Sequence, residues 1–126
     1  MLWRVVEKCR RHESFGRVSV WCAALDKRGR VIAEAGNEYR KSSPIQARFA
    51  AKVGLPEKQF LHAEVKVLLK ALRSGATIST LVVARTSKDG EVMDGKPCCI
   101  CNAYLSYVEQ LQGSKIDVIF SKRETN

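Results

Sequence analysis

The sequence predicts an α/β domain in which a mixed sheet carries helices on its faces, and three observations lead there. Apolar residues recur at helical spacing in three separate segments, and runs rich in β-branched residues lie between them. Two of those runs are joined by the short turn "KRGR", so they form a hairpin. The later runs alternate with helices, giving the order α-β-β-α-β-α-β, so the last three strands are expected to run parallel through right-handed crossovers.

Each element has its own warrant. Residues 2–13 read as a helix with Leu2, Val5, Val6 and Cys9 on one face and Arg4, Lys8 and Arg11 on the other. "RVSVWCAALD" (17–26) reads as a buried strand, and "VIAEAGN" (31–37) as its hairpin partner. Residues 38–60 are a long connection containing Pro44 and Pro56, with a short helix near 45–53, and so long a connection inside a compact domain points to function. Leu61, Val65, Leu68, Leu69 and Leu72 mark the next helix, with Lys66, Lys70 and Arg73 on another face and a stop at Gly75. "STLVVAR" (79–85) is a strand, and the turn-rich "SKDGEVMDGK" contains a short extended piece at 91–93. After Pro97 a further helix carries Ile100, Tyr104, Tyr107, Val108 and Leu111 in register and stops at Gly113. "KIDVIF" (115–120) is the last strand. Trp3, Trp21, Tyr104 and Tyr107 all read as core residues.

The 126 residues suffice for one domain, 1–126, with an N-terminal helical part (1–16), a core (17–120) and a polar tail (121–126). No apolar run approaches the roughly 18 residues of a membrane span, and "MLWRVVEKCRRHES" is too charged for a signal peptide, so a cytoplasmic protein without membrane contact is expected. Without secretion, the five cysteines argue for metal or thiol chemistry over disulfides. Cys9 and Cys22 stand among apolar neighbours as core residues. The net charge is +9, and residues 1–73 carry all of it, with 16 Lys and Arg against 7 Asp and Glu. A basic half suits an anionic partner, a nucleotide or a nucleic acid, while solubility charge is the plainer alternative.

The chemistry concentrates at two helix starts, "LHAEV" (61–65) and "KPCCIC" (96–101). Together they match H-x-E followed by P-C-x-x-C, the signature of zinc deaminases. His62, Cys98 and Cys101 offer one nitrogen and two sulfurs, a set that suits Zn2+ and leaves a fourth tetrahedral position for water. Pro97 suits the first turn of its helix, and both helix N-termini turn partial positive charge toward the site. Glu64, two positions after the histidine, is placed to take the proton of that water and deliver it to a ring nitrogen and then to the leaving amine. Two other readings stay open. One is dithiol chemistry at "CCIC", which leaves His62 and Glu64 unexplained. The other is a non-catalytic zinc module that binds nucleic acid, with Cys99 or His12 as fourth ligand; otherwise Cys99 is a packing residue.

Through these motifs, "HAE" (62–64) and "PCCIC" (97–101), the chain resembles the cytidine deaminase-like superfamily. The resemblance spans roughly residues 18–120. It implies a three-layer α/β/α fold and a hydrolase that converts a nucleobase, most often cytosine to uracil. It further implies that Asn37, at the end of "VIAEAGN", contacts a sugar hydroxyl. The N–H of Ala63 and the carbonyl of Lys96 would grip the base. A nearer likeness is to small phage-borne deaminase-like proteins, through "KSSPIQARFAAKVGLPEKQFLHAE" and the "AR…KDG…GKPC" lead, which would place the protein in a host cytoplasm. Two departures stand out: the 36 positions from His62 to Cys98 are long, and the family's usual last helix and strand are missing. The exposed sheet edge this leaves is one a homo-oligomer could cover.

A nucleoside or nucleotide substrate needs a few cations for a phosphate, and Arg40, Lys41 and Arg48 follow Asn37 closely. A polynucleotide substrate needs a longer basic path with stacking aromatics, for which Tyr39, Phe49 and Phe60 are candidates beside loop packing.

Overall fold

In the computed structural model the sheet is built outward from one inner strand, Thr80–Thr86. The structure describes residues 1–12, 17–37, 44–54 and 62–123, with the side chains of 45, 46, 49, 50 and 99 left aside. Nine elements follow in order: α1 (Leu2–Arg11), β1 (Ser19–Leu25), β2 (Val31–Gly36), α2 (Pro44–Lys52), α3 (Ala63–Arg73), β3 (Thr80–Thr86), β4 (Val92–Met93), α4 (Cys99–Gln112) and β5 (Asp117–Phe120). Asp26 closes the β1–β2 hairpin by accepting from the backbone N–H of both Arg28 and Arg30 at 2.9 Å. Gly29 supplies the positive φ of 78° that the turn needs.

The sheet runs β2-β1-β3, and β1 is antiparallel to both neighbours. The last three long strands, β2, β3 and β5, therefore point the same way, as the crossover rule requires, although β1 separates the first two. Along the outer edge of β3, β5 pairs in parallel with Thr80–Val83, and β4 pairs antiparallel with Arg85 and Thr86. One strand edge thus holds two partners end to end. Ser121, buried at their junction, joins them: its Oγ accepts from Arg85 N at 3.0 Å and donates to Met93 O at 2.7 Å. Its backbone N–H reaches Val83 O at 2.9 Å, and its carbonyl receives Gly95 N at 2.8 Å.

Alternation along the strands builds two cores. Cys22, Ala24, Leu81 and Val83 face α3 and α4, where Val65, Leu68, Ile100, Tyr104 and Val108 close the larger one. Ala23, Leu25, Val82 and Ala84 face Val5, Val6 and Cys9 of α1. These are the three layers expected from the sequence. Cys9 and Cys22 are fully buried, as expected of core thiols.

Several aromatics depart from expectation. Trp3 is 65% exposed, on the flank of α1 that turns away from the sheet, and Arg10 stacks over its ring at 5.3 Å. Tyr104 is buried, whereas Tyr107 and Leu111 of the same helix are exposed. The buried stripe of α4 runs through Ile100, Cys101, Tyr104, Leu105 and Val108 instead. Trp21 is only partly buried, at the rim of the second core, where its indole N–H donates to Glu34 at 3.1 Å. The first helix is shorter than expected and ends at Arg11.

Candidate metal centre

α3 and α4 pack against each other in the larger core, on one face of the sheet, and both of their starts carry donor side chains. His62 is the N-cap of α3 and Cys98 that of α4, both in extended conformation (ψ 149° and 172°). Neither makes the side-chain bond to its own helix that a Ser, Thr or Asp would make there. Good capping residues are given up at both ends, which leaves the ring and the thiol directed at each other. Pro97 thus stands one position outside α4 rather than in its first turn.

His62 Nδ1 lies 3.2 Å from Cys101 Sγ and 3.4 Å from Cys98 Sγ, and the two sulfurs are 3.5 Å apart. All three donor atoms fall within 4.8 Å of one another. A tetrahedral zinc with ordinary bond lengths would separate two sulfurs by about 3.8 Å and sulfur from nitrogen by about 3.6 Å. The atoms need to part by only a few tenths of an ångström, so the donor set fits the ion. The Cys101 thiol and the His62 ring hold the Cys98 thiol at about 3, against its own partial burial. Cys101 moves well upward because of the neighbouring Cys98 sulfur and its burial. Two thiols this close share one proton, which a metal displaces on binding.

Glu64 is the second residue of α3 and 6% exposed. Burial raises its pKa, opposed by a hydrogen bond with the Cys101 thiol and by the His62 charge. Its charge also reaches Cys22 on β1, whose pKa is raised first by burial and then by that carboxylate. The carboxyl therefore sits between the sheet and the sulfur cluster, close to the metal ligands without joining the group of three.

The fold brings some of the other candidates here. Ala63, fully buried, opens α3, and its N–H is one of the four that a helix start leaves unpaired. Lys96 is exposed, two residues before the Cys98 cap. Asn37 follows β2 directly, but its amide turns back on β1: Oδ1 accepts from Val20 N at 3.1 Å and Nδ2 donates to Val18 O at 3.3 Å. Arg48 is exposed on α2. Arg40, Lys41, Tyr39 and Phe60 lie outside the described residues, as do the side chains of Phe49 and Cys99.

His12, a candidate fourth ligand by residue type, is not one in this arrangement. Its Nε2 is 2.8 Å from the carbonyl of Asn37, and its ring packs on Gly36, where a Cβ would come within 2.4 Å of the imidazole. The ring also meets Trp21 edge-on at 5.5 Å. Sequence spacing gives no sign of this contact, because α1 and β2 meet only through the fold.

A family model, the cytidine and deoxycytidylate deaminase zinc-binding region, matches residues 1–111. The chain belongs to this family. Its His62, Cys98 and Cys101 are positioned to hold the zinc ion of a deaminase-type site. Among solved structures, the chain is similar to a mutant cytidine deaminase from Mycobacterium tuberculosis. The two share 21% identity with a TM-score of 0.50 over 96% of this chain and 89% of that one, a likeness of fold. Comparison with curated proteins gives no match. No described helix of this deaminase-family chain is long and apolar enough to cross a membrane.

Proposed function

We propose that the protein is a hydrolytic deaminase acting on the base of a nucleoside or nucleotide, with cytosine converted to uracil. The observation that carries this reading is Glu64, a buried carboxyl hydrogen-bonded to one metal ligand while remaining outside the ligand set. A purely structural site has no use for it, and placing it there costs desolvation.

Bound zinc supplies a Lewis acid that makes water nucleophilic near neutral pH. Glu64 takes a proton from the attacking water and hands it to ring nitrogen N3. It then takes the second proton of that water, left on the oxygen bonded to C4, and carries it to the exocyclic amine as the C4 carbonyl forms. A bond forms from the water oxygen to C4, the C4–N bond breaks, and ammonia leaves. Burial raises the Glu64 pKa against the pull of the Cys101 thiol and the His62 charge, the direction that suits a group which both accepts and returns a proton. The N–H of Ala63, which the helix start leaves without an intrahelical partner, would hold the base carbonyl, and the Lys96 carbonyl the base amine. Asn37, which keeps one N–H and one lone pair beyond its bonds to β1, would meet a sugar hydroxyl. Arg40, Lys41 and Arg48 would meet a phosphate. Cytosine is chosen by analogy with the family.

The experiment pairs zinc content with ammonia release over cytosine, cytidine, dCMP, dCTP, guanine, adenosine and single-stranded DNA and RNA. Glu64→Gln should keep one zinc per chain and lose turnover by about 10²- to 10⁴-fold. Turnover retained in that variant overturns the role of Glu64. Zinc without ammonia from any substrate points to the non-catalytic nucleic-acid-binding module. Deamination of a polynucleotide is the second reading, favoured by the excess of 9 positive charges carried by residues 1–73.

A further inference from the structure

On the face of the sheet opposite the zinc helices, α1 covers β1 and β3 but not the outer margin held by β4 and β5. A groove of about 750 Å³ opens there. Its floor is apolar, from Leu2, Val6 and Val92, and its rim carries Lys122, Arg123 and Arg10, the last paired with Glu7 at 2.8 Å, with Glu91 as the acid among the lining residues. Trp3 stands beside it at 65% exposure. Arg10 covers one face of the indole. Lys122 and Arg123 form no ion pair among the described residues.

We propose that this groove docks single-stranded nucleic acid. An exposed indole beside a cationic rim offers the two things such a strand needs: a surface on which a base stacks and charges that follow its phosphates. A second copy of this chain is disfavoured as occupant, since it would set the same rim, and a net charge of +9, against itself. An acidic peptide would use the cations but leave the indole bare.

The groove also leads somewhere. Its Ser121–Arg123 wall is bonded to the segment entering the zinc motif, through Gly95 N to Ser121 O at 2.8 Å and Arg123 N to Asp94 Oδ1 at 2.9 Å. Gly95 is three residues from Cys98, at most about 11 Å of extended chain. A strand seated in the groove would thus pass the sheet edge toward the metal site. Only this last step rests on the deaminase reading; the docking itself is measured without turnover.

The test is fluorescence anisotropy of a labelled, roughly ten-nucleotide oligo-dT or oligo-U on the full-length, zinc-loaded protein, with salt varied over about 50–200 mM. Trp3→Ala should weaken binding by about 5- to 150-fold, the worth of one base stacked on an aromatic. The Lys122→Glu/Arg123→Glu double variant should weaken it too and flatten the slope of log K on log salt by about 1.4. Both variants should keep the wild-type zinc content and melting temperature, and if Trp3→Ala melts lower, the double variant carries the test alone. Wild-type-like binding by the double variant overturns the proposal. So does a mononucleotide that competes as well as the oligonucleotide, or a dimer that the double variant abolishes without effect on the oligonucleotide. Absence of ammonia release alongside binding that these variants abolish would overturn the deaminase reading and leave the docking surface standing.

Discussion

His62 and Cys101, 39 positions apart in the chain, meet with Nδ1 and Sγ 3.2 Å apart. His62 caps the start of α3 and Cys101 lies in the first turn of α4, and both helices pack on the same face of the sheet. The ligand set is thus gathered by two helix starts that the larger core holds in place.

Removing zinc should therefore lower the melting temperature without unfolding the chain. At zinc concentrations about 100-fold above Kd the ion contributes about 2.7 kcal/mol, which for a domain of this size is on the order of 10 °C. Cys101→Ser should weaken zinc by more than about 100-fold, since loss of even an outer-sphere partner costs about 10- to 100-fold. Calorimetric scans with and without chelator, and competition with a zinc-binding dye, read both effects.

In the zinc-free protein Cys98 should be the reactive thiol. Its pKa is lowered to about 3, first by the Cys101 thiol and then by the His62 ring, so the thiolate is present above that pH and is lost only below it. Its alkylation rate should change little between about pH 5 and 8, whereas an ordinary thiol near 8.5 slows about tenfold per unit over that range. Zinc should protect it. Mass spectrometry of iodoacetamide-treated protein against pH locates the label; a tenfold fall per unit would contradict the assignment.

Gly36→Ala should destabilise the fold by about 1–3 kcal/mol, as overpacking does. The new methyl would stand within 2.4 Å of the His12 ring. The double variant Gly36→Ala/His12→Ala removes the clash, so its cost should fall well short of the sum of the two single changes. Urea midpoints of the four proteins of this cycle test it, and strict additivity would mean that the ring and Gly36 are not in contact.

Ser121→Ala should cost about 1–3 kcal/mol. It strands the N–H of Arg85 and the carbonyl of Met93, both bonded to the hydroxyl at the junction of β4 and β5. Hydrogen exchange should quicken first at Arg85 and in the Val92–Pro97 segment, while the β1–β2 hairpin stays protected. Uniform loss of protection would deny Ser121 this local role.

The sequence by itself determined the elements and the metal-donor set. Strand alternation at 19–25 and 80–86 and the helical register of α3 are local periodicities, legible without partners. So were His62, Cys98 and Cys101, because ligand type and spacing at two helix starts are a local code for one metal. The tertiary structure decided which way the ambiguous side chains face. Trp3 and Tyr107 are as apolar as their buried neighbours, yet they look outward, since each helix meets the sheet along one stripe and periodicity does not say which. It also decided that His12 serves the end of β2 rather than the metal, that the Asn37 amide extends the β1 ladder, and that β4 and β5 share the edge of β3 through Ser121. The bonds that fix them, His12 to Asn37, Val20 to Asn37 and Arg85 to Ser121, join residues from 17 to 36 positions apart, and no local pattern encodes them. They exist only once burial of the two cores has brought the backbones together.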